Sequence, residues 1–225
     1  MNQVNRLPQG GRIDRSRPLR FVFDGKPYQG YHGDTLASAL LANGVVLVGR
    51  SFKYHRPRGF LSAGAEEPNA LIQLGQGNRS EPNLRATQIE LYEGLIAESQ
   101  NRFPSLATDV GAVNSLFHRV FPSGFYYKTF MWPKSFWMKY EHAIRCMAGL
   151  GKCPTEPDPD RYHKLYAHAD ALIVGAGPAG IAAALAAGRA GARVILVDEQ
   201  QEMGGSLLSD RRAMIDGKPG GEWVV

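Results

Sequence analysis

Residues 171–200 read ALIVGAGPAGIAAALAAGRAGARVILVDEQ, the most strongly patterned stretch of the chain. Four apolar residues of strand length come first, and Gly175, Gly177 and Gly180 follow them in the spacing G-x-G-x-x-G. The first glycine permits a tight turn, the second lets the backbone approach a pyrophosphate, and the third lets a helix pack closely on the strand. The small residues that continue to Ala190 predict that helix, with its N-terminal amides directed at phosphate oxygens.

A second apolar run, residues 193–197, ends at Asp198 and Glu199. An acid at the tip of this strand, about 20 residues past the first glycine, accepts hydrogen bonds from ribose hydroxyls and repels a 2′-phosphate. Strand, glycines, helix, strand and acid therefore predict a Rossmann-type βαβ unit that binds NAD or FAD rather than NADP. Residues 171–187 are too short for a membrane span and carry glycines near one end.

The composition predicts a folded protein of one or two domains, because 44% of the 225 residues are hydrophobic and 10% are aromatic. The net charge is +5, but the basic residues are dispersed and no nucleic-acid-binding motif is present, so we expect no nucleic acid partner. Two cysteines are too few for a disulfide framework, and the sequence starts without an apolar signal-peptide core. We therefore expect a cytoplasmic protein with no membrane partner.

The chain divides into four predicted segments: an N-terminal arm (residues 1–18), a small domain (19–103), an aromatic-rich connecting region and linker (104–165), and the first part of a dinucleotide-binding domain (166–225). Because it stops soon after the second strand of that domain, we expect a truncated chain, part of a longer polypeptide. The arm has no hydrophobic period and is predicted to be flexible or bound to a partner. It contains Arg6, Arg12, Arg15 and Arg17.

The small domain has the predicted element order β-β-α-β. Asp24-Gly25 is a strong hairpin signal, and Asp34 and Thr35 cap a helix that ends at Asn43-Gly44. Strands are predicted at residues 19–23, 26–31, 45–48, 70–74 and 87–91. This order resembles the ferredoxin-like β-grasp of plant-type ferredoxins, so the whole chain is expected to combine an α+β domain with an α/β domain.

Plant-type ferredoxins hold an iron–sulfur cluster with four cysteines, three of which lie in a loop after the helix. At this place residues 49–64, here called the basic loop, read GRSFKYHRPRGFLSAG without a cysteine. Cys146 and Cys153 cannot complete a four-cysteine site and are predicted to be plain buried or linker thiols, so no metal is expected. The loop carries Arg50, Lys53, His55, Arg56 and Arg58, with Phe52, Tyr54 and Phe60 between them.

The basic loop has two interpretations. Its arginines and aromatics could bind an anionic group of the nucleotide or of a partner chain. Alternatively, it is a structural loop whose arginines pair with nearby acids such as Glu66 and Glu67.

Residues 104–152 are dense in aromatic side chains and show neither a helical nor an alternating period. We expect them to be buried, either between domains or against another subunit. The aromatics are Phe117, Phe121, Phe125, Tyr126, Tyr127, Phe130, Trp132, Phe136, Trp137 and Tyr140. Further on, CPTEPDPDR at residues 153–161 predicts a linker, and His163 and His168 are predicted to be surface residues.

Three passages together resemble the N-terminal part of the alpha subunit of heterotetrameric sarcosine oxidase. They are FDGKPYQGYHGDTLASALLANG (residues 23–44), GRSFKYHRPRGFLSAGAEEPNA (49–70) and the nucleotide unit through DEQQEMGGSLLS (198–209). The resemblance implies a complex that oxidises the methyl group of sarcosine, giving glycine, hydrogen peroxide and formaldehyde or, with tetrahydrofolate, methylene-tetrahydrofolate.

In that family, amine oxidation takes place at FAD in the beta subunit, and a covalently held FMN at the alpha–beta boundary passes electrons to oxygen. The alpha subunit holds NAD, and gamma and delta subunits complete the complex. The resemblance therefore implies that this chain binds NAD, with FAD as the alternative, and that it contains no catalytic residue.

Carried over to this sequence, the resemblance places the pyrophosphate at the glycine-rich turn and the adenosine ribose at Asp198 or Glu199. The predicted cofactor-binding residues are Gly175, Ala176, Gly177, Pro178, Ala179, Gly180, Asp198, Glu199, Gln200, Gly204, Gly205 and Ser206. Two alternatives stay open: an FAD-binding subunit of a related amine or amino-acid dehydrogenase, and a non-catalytic assembly subunit. The lack of cluster cysteines favours the oxidase.

Overall fold

A computed structural model describes residues 3–119, 121–124, 130–151, 153–200, 202–210 and 212–224, apart from the side chain of Met147. Phe125, Tyr126 and Tyr127 of the aromatic segment lie outside the described residues. The chain divides into two units, Met1–Asp160 (unit 1) and Arg161–Val225 (unit 2).

Unit 1 contains a five-stranded sheet with the order β2-β1-β7-β5-β6. Its strands are β1 (Asp14–Phe23), β2 (Lys26–His32), β5 (Leu71–Leu74), β6 (Glu81–Arg85) and β7 (Leu95–Ser99), while β3 (Gly49–Arg50) and β4 (Pro57–Arg58) form a separate two-stranded ladder. Strand β1 pairs antiparallel with β2 and parallel with the central β7, and β5 pairs antiparallel with both β6 and β7. This mixed sheet, with helix α1 (Leu36–Ala42) after the first hairpin, confirms the predicted β-grasp fold.

The local signals of the first hairpin and of α1 are confirmed. Asp24 and Gly25 have φ values of 48° and 73°, as a two-residue hairpin turn of the primed type requires. Thr35 is the N-cap of α1, and its hydroxyl and that of Ser38 form a capping box with each other's backbone amides. The buried face of α1 packs into the main core with Phe21, Ile72 and Leu95 of the sheet.

Two predicted strands are wrong. Residues 45–48 are not a strand, and the amides of Val45 and Val48 donate instead to carbonyls of Leu40 and Arg58. Residues 87–91 are also not a strand, because this segment lies along the start of α1, where the Leu91 amide donates to the carbonyl of Asp34 at 2.9 Å. The sheet uses β6 and β7, which flank this segment in the sequence, in its place.

The predicted arm is also partly wrong, since residues 14–18 belong to β1. Arg6 donates to both carboxylate oxygens of Asp34, at 3.0 and 2.7 Å, and its guanidinium lies 5.1 Å from the ring centroid of Tyr31. Asp34 is buried, so this ion pair attaches the arm to the domain. The helix cap itself is Thr35 rather than Asp34.

The aromatic segment contains helices that the sequence did not predict: a 3₁₀ helix (Val110–Phe117), a short one (Lys134–Phe136) and α2 (Trp137–Met147). Several of its aromatics are exposed in the chain itself, so their burial between domains or against another subunit stays a prediction. Trp132 is 83% exposed, Phe117 is 54% exposed and Phe136 is 44% exposed. Cys146 on α2 and Cys153 are exposed, so of the predicted buried or linker thiols neither is buried.

Unit 2 begins with the predicted βαβ unit. Strands β8 (Ala171–Val174) and β9 (Val194–Val197) pair in parallel from Ala171↔Val194 to Val174↔Val197, and α3 (Pro178–Arg189) is the crossover between them. A small antiparallel pair, β10 (Met214–Ile215) and β11 (Lys218–Pro219), and the short helix α4 (Gly220–Trp223) follow. Within the described ranges, we find no helix that is both long and apolar enough to cross a membrane.

Candidate dinucleotide-binding site

The three glycines of the turn between β8 and α3 have different structural roles. Gly175 has a φ of 104°, a left-handed conformation that favours glycine, and its amide donates to the Val197 carbonyl at 2.7 Å. A Cβ atom at Gly180 would overlap the carbonyl oxygen of Gly175, so the helix packs directly on the turn. Gly177 is the N-cap, and a Cβ there would have no atom within 4 Å, so its side-chain direction is open space.

Within the part of the chain that the structure describes, no side chain caps the N-terminus of α3. The first amides of an α-helix have no partner within the helix. Gly177 provides no side-chain cap, Pro178 occupies the first turn, and the first turn contains no acid. The positive end of the helix dipole therefore faces the open space at Gly177, which is an arrangement suited to phosphate.

A second pair of glycines lies against this turn. The Gly204 amide donates to the Ala176 carbonyl at 2.7 Å, and Gly204 and Gly205 have φ values of 123° and 52°. A Cβ atom at Gly205 would lie 3.1 Å from the Cα of Gly177. Bare backbone from two segments therefore meets at the N-terminus of α3, with Ser206 next in sequence in a 3₁₀ helix (Gly205–Leu208).

The two acids after β9 have different environments. The Asp198 carboxylate accepts hydrogen bonds from the amide of Ala176 at 2.5 Å and from that of Gln200 at 2.7 Å. Both hydrogen bonds lower the pKa of Asp198 below its ordinary value of 3.8, and the bond from Ala176 has the larger effect. Asp198 therefore ties the end of β9 to the glycine turn, and both Asp198 and Glu199 are exposed at this end of the strand.

The bond from Ala176 to Asp198 predicts a pH dependence. A carboxyl group whose pKa is lowered by folding stabilises the folded state above its unfolded pKa, and this contribution is lost as the pH falls through the folded pKa. Asp198→Asn is therefore expected to speed hydrogen exchange of the β8 and α3 amides at neutral pH. The difference in exchange rate between the variant and the wild type should shrink below pH 3.8, the ordinary pKa of this carboxyl group. A difference that is independent of pH would contradict this role of the carboxylate.

The described structure brings the predicted site residues of segments 175–180, 198–200 and 204–206 together around one turn. Contacts join Ala176 to Asp198 and to Gly204, and Asp198 to Gln200. The glycine spacing alone could not reveal that Asp198 binds the turn itself, since this depends on the orientation of one side chain.

The basic loop of unit 1 is held by an acid that sequence reasoning missed. Nδ1 of His55 lies 2.6 Å from a carboxylate oxygen of Asp109, and both residues are buried. Arg50 donates to the Leu106 carbonyl, and its Nε lies 3.9 Å from Asp109. The structural interpretation of the loop is thus supported for Arg50 and His55, but with Asp109 in place of Glu66 or Glu67.

Glu67 has a different structural task. It is fully buried and accepts hydrogen bonds from the backbone amides of Leu61, Ser62 and Asn69 at 2.7 to 2.8 Å. Burial by itself raises the pKa of Glu67, but the bonds from backbone amides outweigh it, so the pKa is lowered. Glu67 therefore holds the C-terminal end of the basic loop in the place where a ferredoxin has its cluster loop.

Comparison with known proteins agrees with the two units. Residues 16–102 match a family described as 2Fe-2S iron-sulfur cluster binding domain, and residues 170–222 match FAD dependent oxidoreductase. The sarcosine oxidase subunit alpha of Rhizobium meliloti (strain 1021) is 65% identical over 97% of this chain and 22% of its own length. The chain belongs to the sarcosine oxidase alpha-subunit family, to its N-terminal part.

More distant members of the sarcosine oxidase alpha-subunit family agree. The subunit alpha of Corynebacterium sp. (strain U-96) is 36% identical over 96% of this chain and 18% of its own length. This chain therefore spans about a fifth of the length of these relatives. It contains no cysteine within residues 16–102. This region therefore lacks thiolate ligands for the iron–sulfur cluster after which the matching family is named.

A solved structure supports the fold. The crystal structure of L-proline dehydrogenase from P. horikoshii aligns with a TM-score of 0.50 at 19% identity, over 94% of this chain and 31% of that one. At this identity the likeness concerns the fold alone, a small domain followed by a dinucleotide-binding fold.

Proposed function

We propose that this chain is the dinucleotide-binding N-terminal part of the alpha subunit of a cytoplasmic heterotetrameric sarcosine oxidase, and that it binds NAD at the glycine turn of unit 2. The observation that carries the proposal is the 65% identity to a sarcosine oxidase alpha subunit over nearly the whole chain. The uncapped N-terminus of α3 and the open space at Gly177 support a dinucleotide there.

In this proposal each segment of the site has a separate task. The first-turn amides of α3 bind the pyrophosphate, and Gly177 and Gly205 let it approach the backbone. Asp198 or Glu199 accepts hydrogen bonds from the adenosine ribose, and Asp198 also holds the turn in shape. NAD can exchange a hydride through its nicotinamide, and in this proposal the oxidation of the amine takes place in another subunit.

The chemistry of the proposed enzyme belongs to the assembled complex. With beta, gamma and delta subunits, it would oxidise sarcosine to glycine at the FAD of the beta subunit and pass electrons through FMN to oxygen. Hydrogen peroxide and formaldehyde, or methylene-tetrahydrofolate when tetrahydrofolate is present, are the other products. The alpha chain then binds a nucleotide and contributes to assembly.

A second candidate is an FAD-binding subunit of a related amine or amino-acid dehydrogenase. The match of residues 170–222 to FAD dependent oxidoreductases favours it. The glycine turn, the acid and the second glycine pair would serve the adenosine diphosphate half of FAD as well as that of NAD, so the nucleotide distinguishes the two candidates.

The deciding experiment identifies the nucleotide. The assembled protein is purified and denatured, and the released nucleotides are identified by chromatography and mass, for the wild type and for Gly177→Asp. Loss of NAD in the variant, with the flavin content unchanged, supports the oxidase proposal. Loss of FAD instead supports the dehydrogenase, and a variant that loses neither nucleotide rejects the site.

A further inference from the structure

Unit 1 has an aromatic cavity of about 100 Å³ between the basic loop and α2. Phe52 of the basic loop lines it together with Phe121, Phe130 and Tyr140. The ring centroids of Phe121 and Phe130 lie 6.1 Å apart, and those of Phe130 and Tyr140 lie 5.6 Å apart. The aromatic walls therefore pack on one another around a preformed space.

The cavity wall includes a polar group without a partner. Asn114 lies in the 3₁₀ helix Val110–Phe117 and lines the cavity. Its Nδ2 is buried and donates to no group in the part of the chain that the structure describes. Native proteins rarely leave a buried donor unpaired, because its desolvation is not compensated. An occupant with a carbonyl oxygen would satisfy it.

Large apolar side chains around the cavity are exposed. Phe52 is 50% exposed. Phe136, whose ring centroid lies 6.1 Å from that of Tyr140, is 44% exposed, and Lys139 places its Nζ 4.9 Å from the Phe136 centroid. Trp132, whose carbonyl accepts a hydrogen bond from the Tyr140 hydroxyl, is 83% exposed. Exposed aromatics with a basic group beside them are typical of a protein interface.

The size of the cavity distinguishes the classes of occupant. Pockets for drug-sized ligands measure roughly 300–1,000 Å³, whereas a cavity of about 150 Å³ holds benzene. A space of about 100 Å³ is therefore suited to one aliphatic or small aromatic side chain. Since the relatives are named as subunits, a partner surface that can supply such a side chain belongs to the proposed complex.

We propose that this cavity is the anchor pocket for another subunit of the oxidase. An apolar side chain of that subunit enters the cavity, and a backbone carbonyl beside it accepts a hydrogen bond from Nδ2 of Asn114. An acidic residue of the same segment faces Lys139. Such a buried anchor, surrounded by weaker contacts, is where binding energy concentrates in protein interfaces. The inference rests on the proposed function, because it requires the other subunits.

A photo-crosslink identifies the occupant. The full-length alpha chain with p-benzoylphenylalanine in place of Phe52 is co-expressed with the other subunits, irradiated as the assembled complex and analysed by mass spectrometry. A crosslink to another subunit is expected. A crosslink only within the alpha chain, or to no protein at all, would overturn the proposal, the latter being the result for a small-molecule pocket.

Two variants measure the anchor itself. Ala143→Phe fills the cavity from α2, and Asn114→Leu removes the donor while keeping a side chain of similar size. Each is expected to raise the rate at which isotopically labelled alpha chains exchange into the assembled complex by about tenfold or more, since interface changes act mainly on dissociation. Met138→Phe is the matched control, because Met138 is exposed on α2 and does not line the cavity.

The outcomes separate this inference from the proposed function. If the wild-type chain forms no complex with the other subunits, the proposed function itself fails. If the wild-type complex forms and Asn114→Leu exchanges at the wild-type rate, only the anchor pocket is rejected. Ala143→Phe could reduce folding, but Asn114→Leu removes the unpaired donor and keeps a side chain of similar size, so it still decides the result.

Discussion

Gly177→Asp is expected to lower the amount of nucleotide retained per chain by at least about tenfold, without reducing the stability of unit 2. Aspartate is a preferred N-cap residue, and its exchange for glycine at an N-cap changes helix stability by only a few tenths of a kcal/mol. The backbone of Gly177 is extended, with a φ of −72°, and a side chain there meets no protein atom within 4 Å. The same side chain occupies the phosphate path, places a negative charge there and competes for the first-turn amides.

Gly177→Asn is the matched control, because it has nearly the same shape without the charge. Both variants are expected to lose nucleotide, Asp more completely, and the difference between them measures the charge contribution. Nucleotide per chain is determined after denaturation, and hydrogen exchange of the α3 amides monitors stability. Wild-type retention in Gly177→Asp would place the dinucleotide elsewhere and reject the nucleotide site of the proposed function.

The βαβ unit could be predicted from sequence because its determinants are local. Strand, turn, helix and strand lie within residues 171–200, and every step of their geometry is specified by neighbouring residues. The distinction between Asp198 and Glu199 could not be made in this way. The two acids are adjacent in sequence, and the bond from the Ala176 amide to Asp198 depends on the orientation of one side chain.

Unit 1 shows the same contrast between local and distant determinants. The Asp24-Gly25 turn and the Thr35 cap were predicted because each acts within a few residues. By contrast, β7 pairs with β1 across more than 70 residues of sequence, and its partner cannot be read from its own short apolar pattern. The segment at 87–91 resembles a strand because it is buried against α1, and burial rather than pairing explains its apolar residues.

The basic loop keeps a defined structure without an iron–sulfur cluster, because other side chains hold it. A ferredoxin holds this region with thiolates on iron. Here, Asp109, which lies in a distant segment of the sequence, binds His55. Glu67 accepts hydrogen bonds from backbone amides at the other end of the loop. Neither acid could be assigned its task in advance, because the first lies more than 50 residues away and the second bonds to backbone groups rather than to arginines.

Gly180→Ala and Gly188→Ala are expected to change the stability of unit 2 in opposite directions, although both lie on α3. A Cβ atom at Gly180 would overlap the carbonyl oxygen of Gly175, a backbone atom that cannot move without distorting the turn. Overpacking of this kind costs about 3 kcal/mol. At Gly188 a Cβ has no atom within 4 Å, and alanine in a helix interior is favoured over glycine by about 0.5–1 kcal/mol.

Hydrogen exchange of the α3 amides in the whole chain measures both changes, because it reports the local free energy of unfolding without requiring unit 2 to be isolated. Gly180→Ala should also lose nucleotide, since the turn that holds the pyrophosphate is displaced, while Gly188→Ala should retain it. Equal protection in the two variants would mean that the close contact between Gly175 and Gly180 does not shape the turn. In that case the Gly175–Gly180 contact would not hold the helix N-terminus in one position against β8. The loss of nucleotide in Gly177→Asp would then be explained by the introduced negative charge alone.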